Sequence, residues 1–262
     1  MTILCYHAVE DGWTSPLAVT PAAFEAQAQW LARNRTILPL DEAVQRLDAS
    51  ARLPAGHTSV TFDDGFASVY DNAFGILKRH ALPATVFLVA ETLAPQGRAV
   101  DWVDTPPPHP MRTLSLEQIL EMREAGVSFA SHSWRHHDLT KLSFTECVAD
   151  LRQSRELLED LLAMPMPYLA YPRGLHDTTV RAAAEKAGYS HAFSLPQWRE
   201  PVGSLAVPRV GIFPGNGVHA VRLKLSRLYV PIRMSRAFPL VKRLVRRSNR
   251  PVSARAGEPL EP

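Results

Sequence analysis

Short apolar runs alternate with longer stretches of helical periodicity along most of this chain. Continuous apolar runs rich in β-branched and aromatic residues are typical of strands that are buried on both faces. Strands that alternate with helices predict a parallel sheet covered by helices. The predicted strands are Thr2–Tyr6, Thr36–Leu40, Ser59–Phe62, Thr85–Val89, Val127–Ala130, Tyr168–Tyr171, His191–Ser194 and Ala206–Ile212.

Capping residues mark where four of the helices begin. A serine followed three residues later by Gln or Glu forms a capping box, and a threonine before a proline, or an aspartate, can cap a first turn. These signals stand at Thr20-Pro21, Ser115 with Gln118, Ser143 with Glu146, and Asp177.

Length and composition narrow the class of protein. A chain of 262 residues with 46% hydrophobic residues can form one large α/β domain or two small ones. No run of eighteen apolar residues occurs, so we expect no membrane-spanning helix. The start lacks a basic segment followed by a long apolar one, so we expect no secretory signal. Two cysteines, Cys5 and Cys147, are too few for a disulfide framework.

The net charge of +3 hides an asymmetry between an acidic body and a basic tail. Residues 201–257 contain twelve Lys or Arg and no acidic residue, which leaves 17 of the 29 basic residues against all 26 acidic ones. On a helix, four apolar residues of this tail would share one face with basic residues beside them. These are Leu240, Val241, Leu244 and Val245, flanked by Lys242, Arg243, Arg246 and Arg247.

Such a basic amphipathic helix predicts peripheral association with an anionic membrane. Docking of the helix on the acidic body is an equally good interpretation. Nucleic-acid binding is not expected, because no recognition fold is evident.

Two adjacent carboxylates, Asp63 and Asp64, end one of the predicted strands. Like charges side by side repel each other, so such a pair is favoured where a cation relieves it. With His132 and His136, one carboxylate makes up the three protein ligands of a catalytic metal site that keeps a position open for water. Taken alone, Asp-Asp-Gly is more often a turn. Two histidines four apart are likewise more often exposed.

In parallel α/β folds, functional residues gather at the carboxyl ends of the strands. Asp63, Asp64, His132, His136 and Tyr171 all fall at such ends. We therefore expect these residues to converge on one site.

Three segments resemble, in order, the motifs of the polysaccharide deacetylases, carbohydrate esterase family four, which include the nodulation-type chitooligosaccharide deacetylases. The segments are Thr61–Gly65, Ser131–Leu139 and Ala170–Gly174, and the opening Leu4–Val9 is similar to the start of many members. The resemblance covers residues 1 to about 215. It implies a distorted (β/α)7 barrel with parallel strands. With the basic C-terminal helical extension, the chain divides into a catalytic barrel at 1–216, the extension at 217–247 and a disordered tail at 248–262.

The resemblance also implies roles for the clustered residues. Asp64, His132 and His136 would bind a divalent metal ion, most often zinc, with cobalt or nickel as alternatives. Asp63 would be the general base. Spacing alone does not order the two aspartates, and His137 is an alternative to His136 as a ligand.

Further residues are candidates for contacting the substrate or supporting the base. The resemblance places a backbone N–H that would hold the oxyanion near Tyr171. Trp134 can stack on a sugar or pack in the core. His7 closes the first strand and is a candidate substrate contact. Ala170 stands where many members have an arginine that orients the base, and we expect Arg209 to take that part as a catalytic residue, with a surface arginine as the alternative.

Two features near the expected site stay open. The proline-rich segment 94–112 predicts a long loop, and the roles of Trp102 and Trp198 are as ambiguous as that of Trp134. The general acid has no assigned residue, because the late leucine-x-histidine motif of the family is not evident.

The sequence therefore predicts a metal-dependent carbohydrate deacetylase that cleaves carbon–nitrogen bonds. Its substrate would be an acetyl group, most often N-acetyl, in the synthesis or modification of a surface polysaccharide. It would act in the cytoplasm, peripherally at the inner face of the membrane. The alternatives are a deacylase or deformylase of another amide or of a lipid-linked sugar, and an inactive relative that only binds glycans.

Overall fold

Parallel strands form the centre of the fold. The computed structural model describes residues 2–50, 54–107, 109–196, 200–235 and 238. The strands are β1 Ile3–Tyr6, β2 Ala8–Val9, β3 Ala18–Val19, β4 Thr36–Ile37, β5 His57–Phe62, β6 Ala84–Leu88, β7 Ser128–Ser131, β8 Tyr168–Ala170, β9 His191–Ser194, β10 Val207–Pro208 and β11 Val210–Gly211.

Helices connect the successive strands of the sheet and cover its outer face. They are α1 Pro21–Asn34, α2 Leu40–Ser50, α3 Gly75–Arg79, α4 Leu116–Glu124, α5 Phe144–Leu162, α6 Thr178–Lys186, α7 Val218–Lys224 and α8 Tyr229–Arg233. A π-helical segment, Val69–Phe74, runs directly into α3, and 3₁₀ turns occupy Ala90–Thr92, Leu139–Lys141 and Pro172–Gly174.

The sheet curls into a nearly closed barrel. Its order is β10-β9-β8-β7-β6-β5-β1-β11, with β4 paired to the start of β5, and all the pairs are parallel. β10 pairs with β9 and β11 pairs with β1. Because only Arg209 separates β10 from β11, one short segment joins the two ends of the sheet. The distorted (β/α)7 barrel expected from the sequence is therefore confirmed.

The interior of the barrel is packed with apolar side chains. Five strands contribute Ile3, Phe87, Ala130, Ala170 and Phe193, all buried, to one cluster. Residues of α2 belong to the same cluster, so this helix packs against the barrel core. The interior is a solid core beneath the site and not a channel.

Two strand predictions need correction. The predicted strand Thr36–Leu40 ends at Ile37, and Leu40 already begins α2. Proline at 39 has no N–H for a strand ladder, and the acidic residues in the first turn of α2 favour a helix N-terminus. The predicted strand Ala206–Ile212 is interrupted at Arg209, because its two halves pair with different neighbours.

The capping predictions are confirmed. Thr20 caps α1, Ser115 and Ser143 form complete capping boxes at α4 and α5, and Asp177 caps α6. Each side chain accepts a hydrogen bond from a backbone N–H of the first turn.

The C-terminal extension begins as two short helices, α7 and α8. The predicted apolar and basic faces at 240–247, and the tail 248–262, lie outside the described residues. Within the described ranges, no helix is long and apolar enough to cross a membrane.

Candidate active site

The two adjacent aspartates occupy a sharp turn directly after β5. Asp64 has φ 69° and Gly65 has φ 62°, so the chain passes through two left-handed residues. A side chain at Gly65 would place its Cβ 2.8 Å from the side chain of Leu88, which leaves room only for glycine. This turn directs Asp63 and Asp64 to the carboxyl edge of the barrel, where both are buried.

The two histidines lie on the loop after β7, and this loop is not helical. Ser133 and His136 both have positive φ, of 69° and 58°, which folds the segment back on itself. Donor atoms of Asp64, His132 and His136 consequently lie within 4.8 Å of one another. His137 is exposed, so the structure brings His136 and not His137 to this cluster.

Hydrogen bonding fixes the orientation of His132. Its Nδ1 lies 2.8 Å from the carbonyl oxygen of Ala170, and a carbonyl can only accept, so Nδ1 carries the proton. The Nε2 lone pair then faces Asp64 Oδ1 at 3.6 Å. The Nε2 of His136 lies 3.2 Å from the same oxygen.

This cluster of donors fits a divalent metal ion. Two imidazole nitrogens and a carboxylate oxygen are a ligand set suited to zinc and similar ions. A neutral Nε2 acceptor facing a carboxylate oxygen inside a protein gains little without a cation between them. The backbone carbonyl behind His132 is the kind of partner that orients metal-binding histidines.

Burial keeps the uncharged forms of these groups favoured. It lowers the pKa of His132 and of His136 to about 4, with Asp63 acting in the opposite direction. Burial also raises the pKa of Asp64. Neutral imidazoles are the form that binds metal ions.

Asp63 is held by a buried arginine. Arg209 Nη1 and Nη2 each donate to one carboxylate oxygen, both at 2.6 Å, and Nη1 also donates to Thr61 Oγ1 at 3.1 Å. The Cys5 thiol lies 3.3 Å from Asp63 Oδ2. Burial alone would raise the pKa of Asp63, but the charges of Arg209 and then His132 outweigh it, so the pKa stays well below its usual value.

Aromatic rings support the guanidinium from below. The Arg209 Cζ lies 5.0 Å from the ring centre of Phe87 and 6.0 Å from that of Phe193. Both rings belong to the barrel core, so the cation rests on its upper layer. The opposite pKa shifts of Asp63 and Asp64 give the neighbouring carboxylates different environments, which is typical of paired catalytic acids and bases.

A cavity of about 290 Å³ opens above these residues. Its polar part includes Asp64, His136, His7 and Arg209. His7 is 8% exposed, and its Nδ1 has no hydrogen-bond partner among the described residues. The apolar lining comprises Pro16, Leu17, Val103, Leu195, Pro196, Val210, Phe213, Tyr229 and Val230.

Two residues expected to contact substrate lie away from this cavity in the described structure. Tyr171 is fully buried, its hydroxyl donates to the carbonyl of Leu205, and its N–H donates to the carbonyl of Phe193. Its N–H is therefore already paired and does not face the cavity. Trp134 packs against the main core cluster. Trp198 lies outside the described residues.

The structure adds residues that the sequence did not single out. Trp102, in the proline-rich segment, lines the cavity and donates from Nε1 to Asp64 Oδ1 at 3.1 Å. Arg173, with φ 58°, pairs with Asp104 through two bonds of 2.9 Å across the lining. The helix α8 also contributes to the lining. Only the position of Arg173 inside the third motif could have drawn attention to it.

Comparison of the sequence with protein families identifies one match. The sequence model described as polysaccharide deacetylase matches residues 51–192. The poly-beta-1,6-N-acetyl-D-glucosamine N-deacetylase of Staphylococcus epidermidis is 30% identical over 190 residues, which are 69% of this chain and 62% of that protein. The chain thus spans less than two thirds of this relative's length.

Solved structures resemble the fold over most of the chain. The deacetylase PplD of Streptococcus pyogenes, solved in complex with acetate, has a TM-score of 0.72 at 25% identity, with 86% of this chain and 98% of that chain covered. IcaB from Ammonifex degensii has a TM-score of 0.71 at 26% identity, with 86% and 96% covered.

Proposed function

We propose that this chain, which belongs to the polysaccharide deacetylase family of amide-bond hydrolases, removes acetyl groups from an N-acetylated amino sugar. One observation carries the proposal. A metal-binding arrangement of Asp64, His132 and His136 lies beside an aspartate that a buried arginine holds in place, at the edge of a cavity.

Asp64, His132 and His136 are the residues that would hold a divalent metal ion. When bound, such an ion supplies the Lewis acidity that polarises an acyl carbonyl and acidifies water. The remaining work falls to the side chains and backbone of the chain itself. Zinc suits the ligand set best, with cobalt and nickel as the alternatives.

Asp63 accepts the proton of the attacking water as general base. Its contact with Arg209 keeps it ionised and aims both oxygens along fixed directions. A base with a low pKa is weak, so the arrangement requires a water that gives up its proton readily. Arg209 acts through Asp63 and orients it.

His7 is placed to protonate the leaving amine. It lines the cavity, it is almost fully buried, and its Nδ1 has no partner among the described residues. A ring nitrogen without a protein partner can exchange a proton with a bound substrate. This assigns the general acid that the motif pattern alone left open.

The cavity suits one acylated sugar unit. Its volume of about 290 Å³ lies at the lower end of ordinary ligand pockets. The S. epidermidis relative is named for an N-acetylglucosamine polymer, and we propose a polysaccharide of the cell surface as the source of the substrate here. The apolar lining favours, as a second candidate, a sugar amide carried on a lipid.

The decisive experiment combines metal content with acetate release. The full chain is loaded with zinc, cobalt or nickel and assayed on β-1,6-linked N-acetylglucosamine oligomers, with chito-oligosaccharides alongside. We expect about one metal per chain and metal-dependent acetate release, both lost in His132→Ala. An exposed histidine variant, His137→Ala, is the matched control and should keep both. A wild-type chain that binds none of the three metals would contradict the proposal, and metal binding without acetate release from any acetylated sugar would limit the chain to another acyl group.

We also propose that the C-terminal extension contacts an anionic membrane at its inner face. Leu223 and Leu228 are each 66% exposed, and Ile232 is 41% exposed. Arg222 and Arg227 are exposed beside them. Apolar side chains flanked by cations are the pattern of an interfacial helix. Since α8 also lines the cavity, membrane contact would bring the cavity close to the lipid surface.

A further inference from the structure

Trp102 is the one cavity residue in the described structure whose side chain donates a hydrogen bond to the metal-binding cluster. Its Nε1–H donates to Asp64 Oδ1 at 3.1 Å. The same oxygen faces the Nε2 atoms of His136 and His132 at 3.2 and 3.6 Å. The indole therefore contacts the oxygen that the cluster would present to a cation.

The segment that carries Trp102 is fastened to the barrel at several points. The indole ring stacks on Phe66, with ring centres 6.4 Å apart and planes inclined by 14°. Asp104, two residues further on, is paired with Arg173. Trp13 Nε1 donates to the carbonyl of Thr105 at 3.1 Å. Trp102 is thus held in place independently of its bond to Asp64.

We propose that Trp102 is a positioning residue for the metal-binding carboxylate of Asp64. The inference rests on the proposed function, because it assumes that Asp64 is a metal ligand. A free carboxylate can rotate about its Cβ–Cγ bond and present either oxygen. A single N–H donor on Oδ1 selects one rotation and leaves the remaining lone pair of that oxygen toward the two histidines.

An indole is well suited to this task. It donates one hydrogen bond, it cannot accept one, and it does not ionise, so it orients the carboxylate without competing for the cation. Its ring also lies 5.7 Å from the ring of His136, so it covers one side of the cluster. Hydrogen-bonded partners behind the ligands set metal affinity in many sites.

The alternative is that Trp102 only packs, as an apolar ring in the loop. The two roles separate in Trp102→Phe, which keeps a ring against Phe66 but removes the donor. Trp13→Phe is a matched control, because it removes an indole donor that holds the same segment without contacting Asp64. Trp30→Phe, on α1, controls for the loss of a tryptophan elsewhere.

The test is the dissociation constant for zinc, measured on the full chain by competition with a chromogenic chelator. The melting temperature of the metal-free chain is recorded in parallel. We expect Trp102→Phe to bind zinc about 10-fold or more weakly, in line with the effect of other partners behind metal ligands. The metal-free melting temperature should stay unchanged, and both controls should bind within about twofold of wild type.

Two results would overturn the inference while leaving the proposed function intact. The first is wild-type zinc affinity in Trp102→Phe. The second is an equal loss in Trp13→Phe, which would mean that placement of the segment, and not the donor, sets the affinity. A wild-type chain without metal binding would overturn the inference and the proposed function together.

Discussion

Arg209 and Asp63 form a bidentate ion pair inside the barrel, with both guanidinium nitrogens 2.6 Å from the two carboxylate oxygens and neither side chain more than 2% exposed. Removing two such charges from water is costly, and good geometry with further hydrogen bonds is needed to offset that cost. Thr61 and Cys5 supply those further contacts. The pair is therefore expected to matter both for stability and for the base.

Arg209→Met should destabilise the fold by about 3–5 kcal/mol, because it leaves an ionised carboxylate buried without a partner. Urea unfolding at pH 7 measures the change. The double variant Asp63→Asn with Arg209→Met should recover a large part of the loss, since it removes both charges. A loss below about 1 kcal/mol in the single variant would be incompatible with a fully buried pair.

Asp63→Asn should keep its metal and lose its turnover. The amide cannot take a proton from water, and general-base catalysis contributes about 10²–10⁴-fold. Metal content and the rate of acetate release are the two measurements. Asp160→Asn, an exposed carboxylate on α5, is the control and should be unaffected. Full activity in Asp63→Asn would show that the base is another group.

Lys224 should make stability depend on alkaline pH. Burial, followed by the charge of Arg233, lowers the pKa of Lys224 to about 8, while its Nζ donates to Gly211 and Asn216. Between that value and about 10.4 in the unfolded chain, the unfolded state binds more protons, so stability rises with pH in this window. The contribution of Lys224 is lowest below pH 8.

The measurement compares wild type with Lys224→Met by urea unfolding from pH 7 to pH 10. Other groups titrate in the same range, so the difference between the two proteins is the informative quantity. The stability of wild type relative to Lys224→Met should increase as the pH rises. A constant difference would show that the ammonium group is better solvated than its burial indicates.

Membrane contact of the extension predicts that Leu228→Ser with Ile232→Ser weakens binding to vesicles containing anionic lipid. Each leucine or isoleucine contributes on the order of 1 kcal/mol when its exposed part enters the interface, so the pair should lower partitioning on the order of tenfold. Co-sedimentation of the full chain with anionic and with neutral vesicles measures it. Phe144→Ser with Leu161→Ser, two exposed apolar positions on α5, is the matched control. Equal binding of both double variants would exclude this face as the membrane contact.

The sequence was most informative where chemistry and strand ends coincide. Asp63 and His132 each follow a short apolar run, and parallel strands carry such ends to one edge, so their convergence could be predicted. The distance from Arg209 to Asp63 could be anticipated only as an expectation, because it depends on how the last strand closes the ring. The break at Arg209 leaves no mark in the local pattern.

Other features depended on tertiary contacts that no periodicity encodes. Tyr171 stands in a recognisable motif, yet its hydroxyl and its N–H are both used by neighbouring segments. Trp102 sits in an irregular loop, where the direction of a side chain follows from its anchors and not from spacing. Leu40 looked like the end of a strand, because an apolar residue serves equally well in the first turn of a helix.

The position of Arg209 in the last strand sets the order in which the site is completed. The two aspartates, the two histidines and the third motif all belong to earlier segments, whereas the cation that balances Asp63 arrives only when residues 207–211 join the two ends of the sheet. During synthesis, a chain that has not yet reached this strand has an open barrel and an unbalanced pair of carboxylates. Closure of the fold and readiness of the base are thus a single event, and a partly made protein is held inactive by its own missing charge.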